Sequence, residues 1–262
     1  MIPYLLHNGE ALAWLMTLAN ASADALIVDP PYASGGQSST ARKQRTASKY
    51  VRATGSKYPD FEGDNRDQRS WTLWMTLWLQ QCWRVLRPQA PACVFADWRQ
   101  LPAASDAFQA AGFVWRGIVA WDKTGAARPV LGRFTNQCEY IIWGSKGRMP
   151  RERSCNSSSN ILPGVFSHRV DPAEKHHQTG KPVALMRDVV RICEPGGLIL
   201  DPLAGSGSTG VAALELGYRF LGCELLPEYA DIAHQRLREA MDSWRTHADR
   251  TQLSLDLTSV AS

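Results

Sequence analysis

Two short apolar runs in this chain are each stopped by an acid and a proline. Leu26-Ile27-Val28 ends at Asp29-Pro30-Pro31-Tyr32, and Leu198-Ile199-Leu200 ends at Asp201-Pro202-Leu203-Ala204-Gly205-Ser206-Gly207. Proline lacks the N–H that a ladder requires, so a central strand does not run through it. Each run therefore reads as a buried strand whose carboxyl end opens into a loop. Hydrophobic periodicity predicts helices over 10–18, from an N-cap at Ser70 through Val85, and over 103–111, 183–193, 209–216 and 228–241. Further strands are predicted over 91–96, 117–121, 139–143 and 219–223. Trp71, Trp74, Leu77 and Trp78 lie at helical spacing and read as core rather than as a base-stacking surface. Strands alternating with helices imply an α/β, Rossmann-like fold, with a mostly parallel sheet and helices on both faces. In such sheets ligands sit outside the carboxyl ends of the strands, where strand order reverses.

The 262 residues suit one domain, expected over 1–242, with a polar tail over 243–262 that should fray. Hydrophobic content of 44% against 21% charged residues is ordinary for a folded chain. No apolar run is long enough for a membrane helix, and residues 1–16 lack the basic start of a signal peptide. Six cysteines without a Cys-x-x-Cys pair suggest a reduced, cytoplasmic chain with neither disulfides nor zinc. Adjacent His176 and His177 read as polar surface, and no metal is expected.

Charge is unevenly distributed. Residues 30–59 carry six bases and no acid, and residues 123–153 carry seven bases and two acids, although the whole chain is only +4. Two basic segments on an acidic body point to a polyanion. The first lies in a long polar loop over 33–66, and the second leads into a Ser- and Arg-rich stretch over 144–170. Loops of that length inside a compact domain are usually functional.

The turn over 201–207 combines small residues, which let a ligand approach the backbone, with a following helix N-terminus that offers free N–H groups. It lacks the lysine of a P-loop. Glu224, which ends the next strand, is an acid of the kind that grips ribose hydroxyls, and the pair suggests a nucleoside-bearing cofactor. The turn over 29–32 suits the activation of an exocyclic amino group on a flat base. Its nitrogen lone pair is conjugated into the ring. Two acceptors for its hydrogens, the Asp29 carboxylate and the Pro30 carbonyl, would favour a pyramidal nitrogen able to attack. Two prolines stiffen the loop, and Tyr32 offers a stacking face worth roughly 1–3 kcal/mol.

Asp29-Pro30-Pro31-Tyr32 followed by the 201–207 turn resembles the β class of amino-group DNA methyltransferases that use S-adenosylmethionine. Gly9-Glu10 resembles the acidic motif that in the family contacts the cofactor's adenosine. Arg84-Val85-Leu86-Arg87-Pro88 resembles the family's Arg-Val-Leu-Lys-Pro helix end. His177-Gln178-Thr179-Gly180-Lys181-Pro182 resembles the motif that closes over the methionine moiety. Ser34-Gly35-Gly36 and Gly63-Asp64-Asn65-Arg66-Asp67 look like a phage or prophage subgroup. The chain departs from the pattern at Glu10, Gln178, Gly180 and Leu203, where Asp, Pro, Gln and Phe are commoner.

The resemblance implies a site-specific adenine-N6 methyltransferase, a modification activity with no nuclease on the same chain. Asp29, Pro30, Pro31 and Tyr32 would be catalytic. Glu10, Thr179, Lys181, Pro182, Asp201, Leu203, Ala204, Gly205, Ser206, Gly207 and Glu224 would hold S-adenosylmethionine. Double-stranded DNA would be the partner, with the target base flipped out of the helix. Arg42, Lys43, Arg45, Lys49 and Arg52 are expected on phosphates. Arg148, Arg151, Arg153, His168 and Arg169, in the family's position for target recognition, include candidate base readers. Asp at the first motif position leans to adenine in the family, with cytosine-N4 transfer the alternative. A silent nucleic-acid-binding partner subunit is a third reading, and β-class relatives often form homodimers.

Overall fold

The computed structural model describes residues 3–33, 66–126, 131–149, 161–170 and 180–260. Among these residues eight strands form one sheet: β1 (Tyr4–Asn8), β2 (Ala25–Val28), β3 (Pro91–Ala96), β4 (Val114–Asp122), β5 (Cys138–Ser145), β6 (Val165–Ser167), β7 (Leu198–Asp201) and β8 (Arg219–Glu224). Among the described residues six α-helices accompany them: α1 (Ala11–Thr17), α2 (Gln68–Val85), α3 (Leu101–Ala110), α4 (Val183–Val190), α5 (Ser208–Glu215) and α6 (Pro227–Val260).

The strand order is β1-β8-β7-β2-β3-β5-β4-β6. The first five are mutually parallel, β5 runs antiparallel between β3 and β4, and β6 adds in parallel beside β4. From β7 the chain moves outward to β8 on one side, and from β2 it moves outward to β3 on the other. Strand order therefore reverses between β2 and β7, which pair directly with Ala25 opposite Ile199 and Leu26 opposite Leu200. Both proline-stopped turns leave the sheet at this switch point, where crossover loops diverge and leave a crevice.

Strand β2 is buried at all four residues, as a central parallel strand covered on both faces must be. Its alternating side chains divide the core. Leu26 and Val28 pack with Trp14 and Leu15 of α1, Trp71 and Trp78 of α2, and Phe108 of α3. Ala25 and Ile27 pack with Leu185 of α4, Leu214 of α5 and Leu237 of α6. The result is three layers, with α1, α2 and α3 on one face and α4, α5 and α6 on the other.

The architecture agrees with the sequence reading, and the differences have local causes. Helix α2 is capped by Asp67 rather than Ser70, because the Asp67 carboxylate accepts the backbone N–H groups of Arg69 and Ser70 at 3.1 Å each. In its aromatic stripe Trp71 and Trp78 are buried, Trp74 is half-buried and Leu77 is exposed. Strand β1 went unrecognised: with Leu6 alone buried, it is an edge strand and lacks a strong apolar run. Strand β6, three residues within the polar stretch over 144–170, was missed for the same reason. Helix α6 continues to Val260 instead of fraying after 242. No disulfide joins any two of the five cysteines among the described residues, and no helix there is long and apolar enough to cross a membrane.

Arg84 gives its helix-end motif a physical reason. It donates to the carbonyls of Leu15 at 2.7 Å and Leu18 at 2.8 Å, tying the end of α1 to α2. Gly144 in β5 sits where a Cβ would run into the Val114 carbonyl oxygen and the Phe108 ring. Gly144→Ala is expected to lower stability by ~2–3 kcal/mol in urea denaturation, as overpacking against backbone does. Gly164→Ala, where a Cβ meets nothing within 4 Å, should stay within ~0.5 kcal/mol of the parent protein.

Candidate active site

The 29–32 turn is held from below and from the side. Trp71, buried in α2, donates its indole N–H to the Pro31 carbonyl at 2.8 Å, which fixes the proline pair against the helix layer. Asp29 then extends past the end of β2 with both oxygens engaged. Oδ1 accepts the Tyr32 hydroxyl at 2.7 Å, and Oδ2 accepts the Lys181 ammonium at 2.7 Å.

Lys181, just before α4, has a side chain only 5% exposed. Its Nζ lies 5.1 Å from the Tyr32 ring, 5.3 Å from Phe95 and 5.8 Å from Trp121. It also reaches Glu139 of β5 at 3.2 Å. The other Glu139 oxygen meets Lys123 at 3.3 Å, and the Tyr32 hydroxyl lies 3.1 Å from Glu139 Oε2.

These contacts set the protonation tendencies. Burial raises Asp29 above the usual carboxylate range, against the opposing pull of Lys181. Burial likewise acts to raise Glu139, but Lys181 and Lys123 overcome it and hold that acid below its ordinary value. Burial disfavours the Lys181 ammonium, yet Asp29 and Glu139 together hold it above the ordinary lysine value. Tyr32 is pushed well above the usual phenol range by burial and by the two nearby carboxylates.

The second turn lies alongside. Asp201 is 2% exposed and accepts the Leu203 backbone N–H at 3.1 Å, with a further hydrogen bond from the Thr209 side chain. Burial raises its carboxyl to about 7, with the charges of Asp29 and Glu224 adding to the rise. Among the described residues no cation lies within ion-pairing distance of it. Gly207 stands at the start of α5 in the left-handed region, φ +81°, and a Cβ there would come within 3.0 Å of the Ala233 Cβ. Arg236 of α6 donates to the Ser206 carbonyl at 2.6 Å and braces the turn from behind. Glu224 accepts Gly205 N–H and Leu226 N–H at 2.9 Å each. Glu10, exposed at the end of β1, caps α1 through Leu12 N–H at 3.0 Å and Ala13 N–H at 2.7 Å. Four adjacent strands, β1, β8, β7 and β2, thus carry Glu10, Glu224, Asp201 and Asp29 along one edge. Such an edge suits a cationic ligand bearing hydroxyls to be held.

The turns over 29–32 and 201–207 are brought together, with Glu10 and Glu224 beside them. Pro182 caps α4, while Lys181, grouped by sequence with the cofactor residues, places its ammonium on Asp29. Thr179 lies outside the described residues, as do Arg42, Lys43, Arg45, Lys49, Arg52, Arg151 and Arg153. Arg148 does not join the site. It follows the carboxyl end of β5, and because β5 is antiparallel that end lies at the opposite edge of the sheet. His168 is engaged within the protein: its Nε2 lies 2.7 Å from Asp188 Oδ2, and its carbonyl accepts the Trp121 indole N–H at 2.9 Å. Arg169 is exposed just beyond β6, on the same edge as the turns. Sequence alone assigns no functional part to Glu139 or Arg236, and it reads Trp71 only as core. The one available signal for Glu139 was its being one of only two acids in the second basic segment.

A family model described as DNA methylase (N6_N4_Mtase) matches residues 23–235. The chain is 29% identical over 253 residues to the type II methyltransferase M.HinfI of Haemophilus influenzae, covering 88% of this chain and 67% of that protein. It is 27% identical over 248 residues to the type II methyltransferase M2.DpnII of Streptococcus pneumoniae, covering 89% of each. Among solved structures, the M1.HpyAVI–SAM complex superposes with a TM-score of 0.65 at 21% identity, over 89% of this chain and 98% of the other. The PvuII DNA methyltransferase, described as cytosine-N4-specific, superposes with a TM-score of 0.67 at 15% identity, over 93% and 92%. These two likenesses establish the fold.

An acid whose folded-state value lies above its unfolded one costs stability as soon as the pH exceeds the unfolded value, and the cost is complete above the folded value. With Asp201 at about 7, the ligand-free protein should lose stability between about pH 4 and that value. Asp201→Asn is therefore expected to raise Tm at about pH 8, with the gap to the parent narrowing as the pH falls to about 4. Thermal scans across that range check it, and a gap independent of pH would show that Asp201 ionises without cost.

Proposed function

The chain belongs to the DNA methylase family, and from that premise we propose that it is an S-adenosylmethionine-dependent adenine-N6 methyltransferase acting on duplex DNA. The observation that carries the reading is the pairing of β2 with β7, which sets Asp29 beside the Gly-rich turn at one switch point. The site fits the cofactor in charge and in shape. Asp201 is a buried acid lacking a cation among the described residues, and a ligand with sulfonium and ammonium charges supplies one. The left-handed backbone at Gly205 and Gly207 keeps side chains out of the turn.

Asp201, Leu203, Ala204, Gly205, Ser206 and Gly207 would hold the ligand against the start of α5. Glu224, its carboxylate already aimed by two backbone N–H groups, would use its remaining lone pairs on ribose hydroxyls. Glu10 would line the adenosine side. Bound S-adenosylmethionine supplies a methyl group already attached to a good leaving group, so no covalent enzyme intermediate is required. The chain contributes position and charge. Asp29 and the Pro30 carbonyl accept the two amino hydrogens, and Tyr32 stacks on the base. Asp29, Pro30 and Tyr32 would hold the amino nitrogen towards the bound cofactor, and positioning of this kind would supply a large part of the rate. An amino group within a duplex cannot enter this crevice, so the base flips out. Arg169 and the two basic segments would meet the DNA.

Adenine is favoured because Asp stands first in the 29–32 turn. The likeness to a cytosine-N4-specific enzyme supports a second reading, since both target amino groups present similar geometry to Asp29. Incubating the chain with duplex DNA and labelled S-adenosylmethionine, then analysing nucleosides by mass spectrometry, is expected to yield N6-methyladenine. N4-methylcytosine as the sole product would overturn the choice of base, and no incorporation would favour a silent partner subunit. Asp29→Ala should reduce single-turnover transfer by roughly 10³-fold or more, with cofactor affinity by calorimetry within about threefold of the parent. Loss of both together would mean that Asp29 is structural.

A further inference from the structure

The amino-group mechanism gives Asp29 its task but leaves unexplained the lysine fastened to it. Lysine is almost never buried without a partner. Lys181, at 5% side-chain exposure, has two: Asp29 Oδ2 at 2.7 Å and Glu139 Oε2 at 3.2 Å. Glu139 in turn meets Lys123 at 3.3 Å. Acid and base alternate from the catalytic turn, across the end of β3, to β5 and the residue following β4. Three aromatic rings, those of Tyr32, Phe95 and Trp121, wall in the central ammonium.

An acceptor for amino hydrogens has to be charged, and it has to keep lone pairs facing the base. Burial works against the first requirement, and an ammonium committed wholly to Asp29 would work against the second by neutralising the acceptor. An ammonium shared between two carboxylates meets both. It favours the charged form of Asp29 while leaving that carboxylate only part of its positive charge. We propose that Lys181 and Glu139 are positioning residues of the methyl-transfer centre, with Lys181 clamping the Asp29 carboxylate and Glu139 anchoring the clamp between the two acids. The proposal rests on the methyltransferase reading and deepens it by giving β5, the antiparallel strand, a part in the chemistry.

The groups facing Asp29 are Lys181, the Tyr32 hydroxyl, Glu139 and, from β7, Asp201. Opposite charges predict opposite effects. Removing the Lys181 cation should make Asp29 harder to ionise, and removing the Glu139 anion should make it easier.

The test follows the Asp29 carboxyl carbon by ¹³C NMR titration of the ligand-free protein, with Asp29→Asn identifying the resonance. It is paired with the pH dependence of single-turnover methyl transfer to duplex DNA. In Lys181→Met the Asp29 titration and the acid limb of the rate are expected to move up by about one pH unit, and in Glu139→Gln to move down by a similar amount. Lys181→Arg should keep both near the parent values. Shifts in the same direction, or a fall in rate with titration and acid limb unmoved, would overturn the proposal by reducing both residues to structural supports. If Lys181→Met fails to fold, the downward shift in Glu139→Gln decides alone, and its absence overturns the proposal. Opposed NMR shifts in a protein that transfers no methyl group would keep the clamp and overturn the methyltransferase reading.

Discussion

The hydrogen bonds between β2 and β7 are the constraint on which the rest depends. The two strands are far apart in the chain, yet in the sheet they are neighbours pointing the same way. Prolines at both exits prevent either strand from continuing, so each chain end must turn away at the same level. The onward crossovers leave in opposite directions, the arrangement that opens a crevice between two strand ends. The crevice is a consequence of strand order. Its position next to Asp29 follows from a register that sets Leu26 against Leu200.

Given that crevice, electrostatics decides what it can hold. Glu10, Glu224, Asp201 and Asp29 line up at the ends of four neighbouring strands, and Lys181 is the buried cation among them. Burial raises the Asp201 carboxyl to about 7, and the neighbouring charges of Asp29 and Glu224 add to the rise. A structure arranged only for stability would bury apolar residues there, since replacing buried charges by well-packed apolar groups is often stabilising. Among the described residues these acids lack an equal complement of cations, a structural cost consistent with a positively charged ligand. The family's cofactor has that charge.

Much of this was legible in the sequence, and the boundary has physical reasons. Strands β2 and β7 were readable because both faces of each are covered, which demands an unbroken apolar run, and because proline ends them sharply. Strand β1 was not readable, since an edge strand with one buried residue has no such run. The two motif turns could be found because they are contiguous. Glu139 could not, because its significance arises only when β5 inserts antiparallel beside β3 and carries it over the turn after β2. Trp71 was correctly assigned to the core, but nothing in helical spacing reveals that its N–H reaches the Pro31 carbonyl. Arg148 and His168 were grouped with DNA contacts by position in the chain. The antiparallel course of β5 takes one to the far edge, and Asp188 engages the other.

The placement of Lys181 shows why a contiguous motif can be recognised without revealing where each of its side chains reaches. Sequence resemblance groups it with its neighbours in the segment that closes over the cofactor. In space its backbone belongs to that segment, but a lysine stem is long enough to deliver the ammonium elsewhere. The nearest low-energy position for a buried ammonium is between carboxylates, with aromatic faces around it. Asp29, Glu139 and the rings of Tyr32, Phe95 and Trp121 offer that position. One residue thereby joins the segment before α4 to the turn after β2 and to β5. Any shift in the segment just before α4 is then felt at Asp29 and at Glu139.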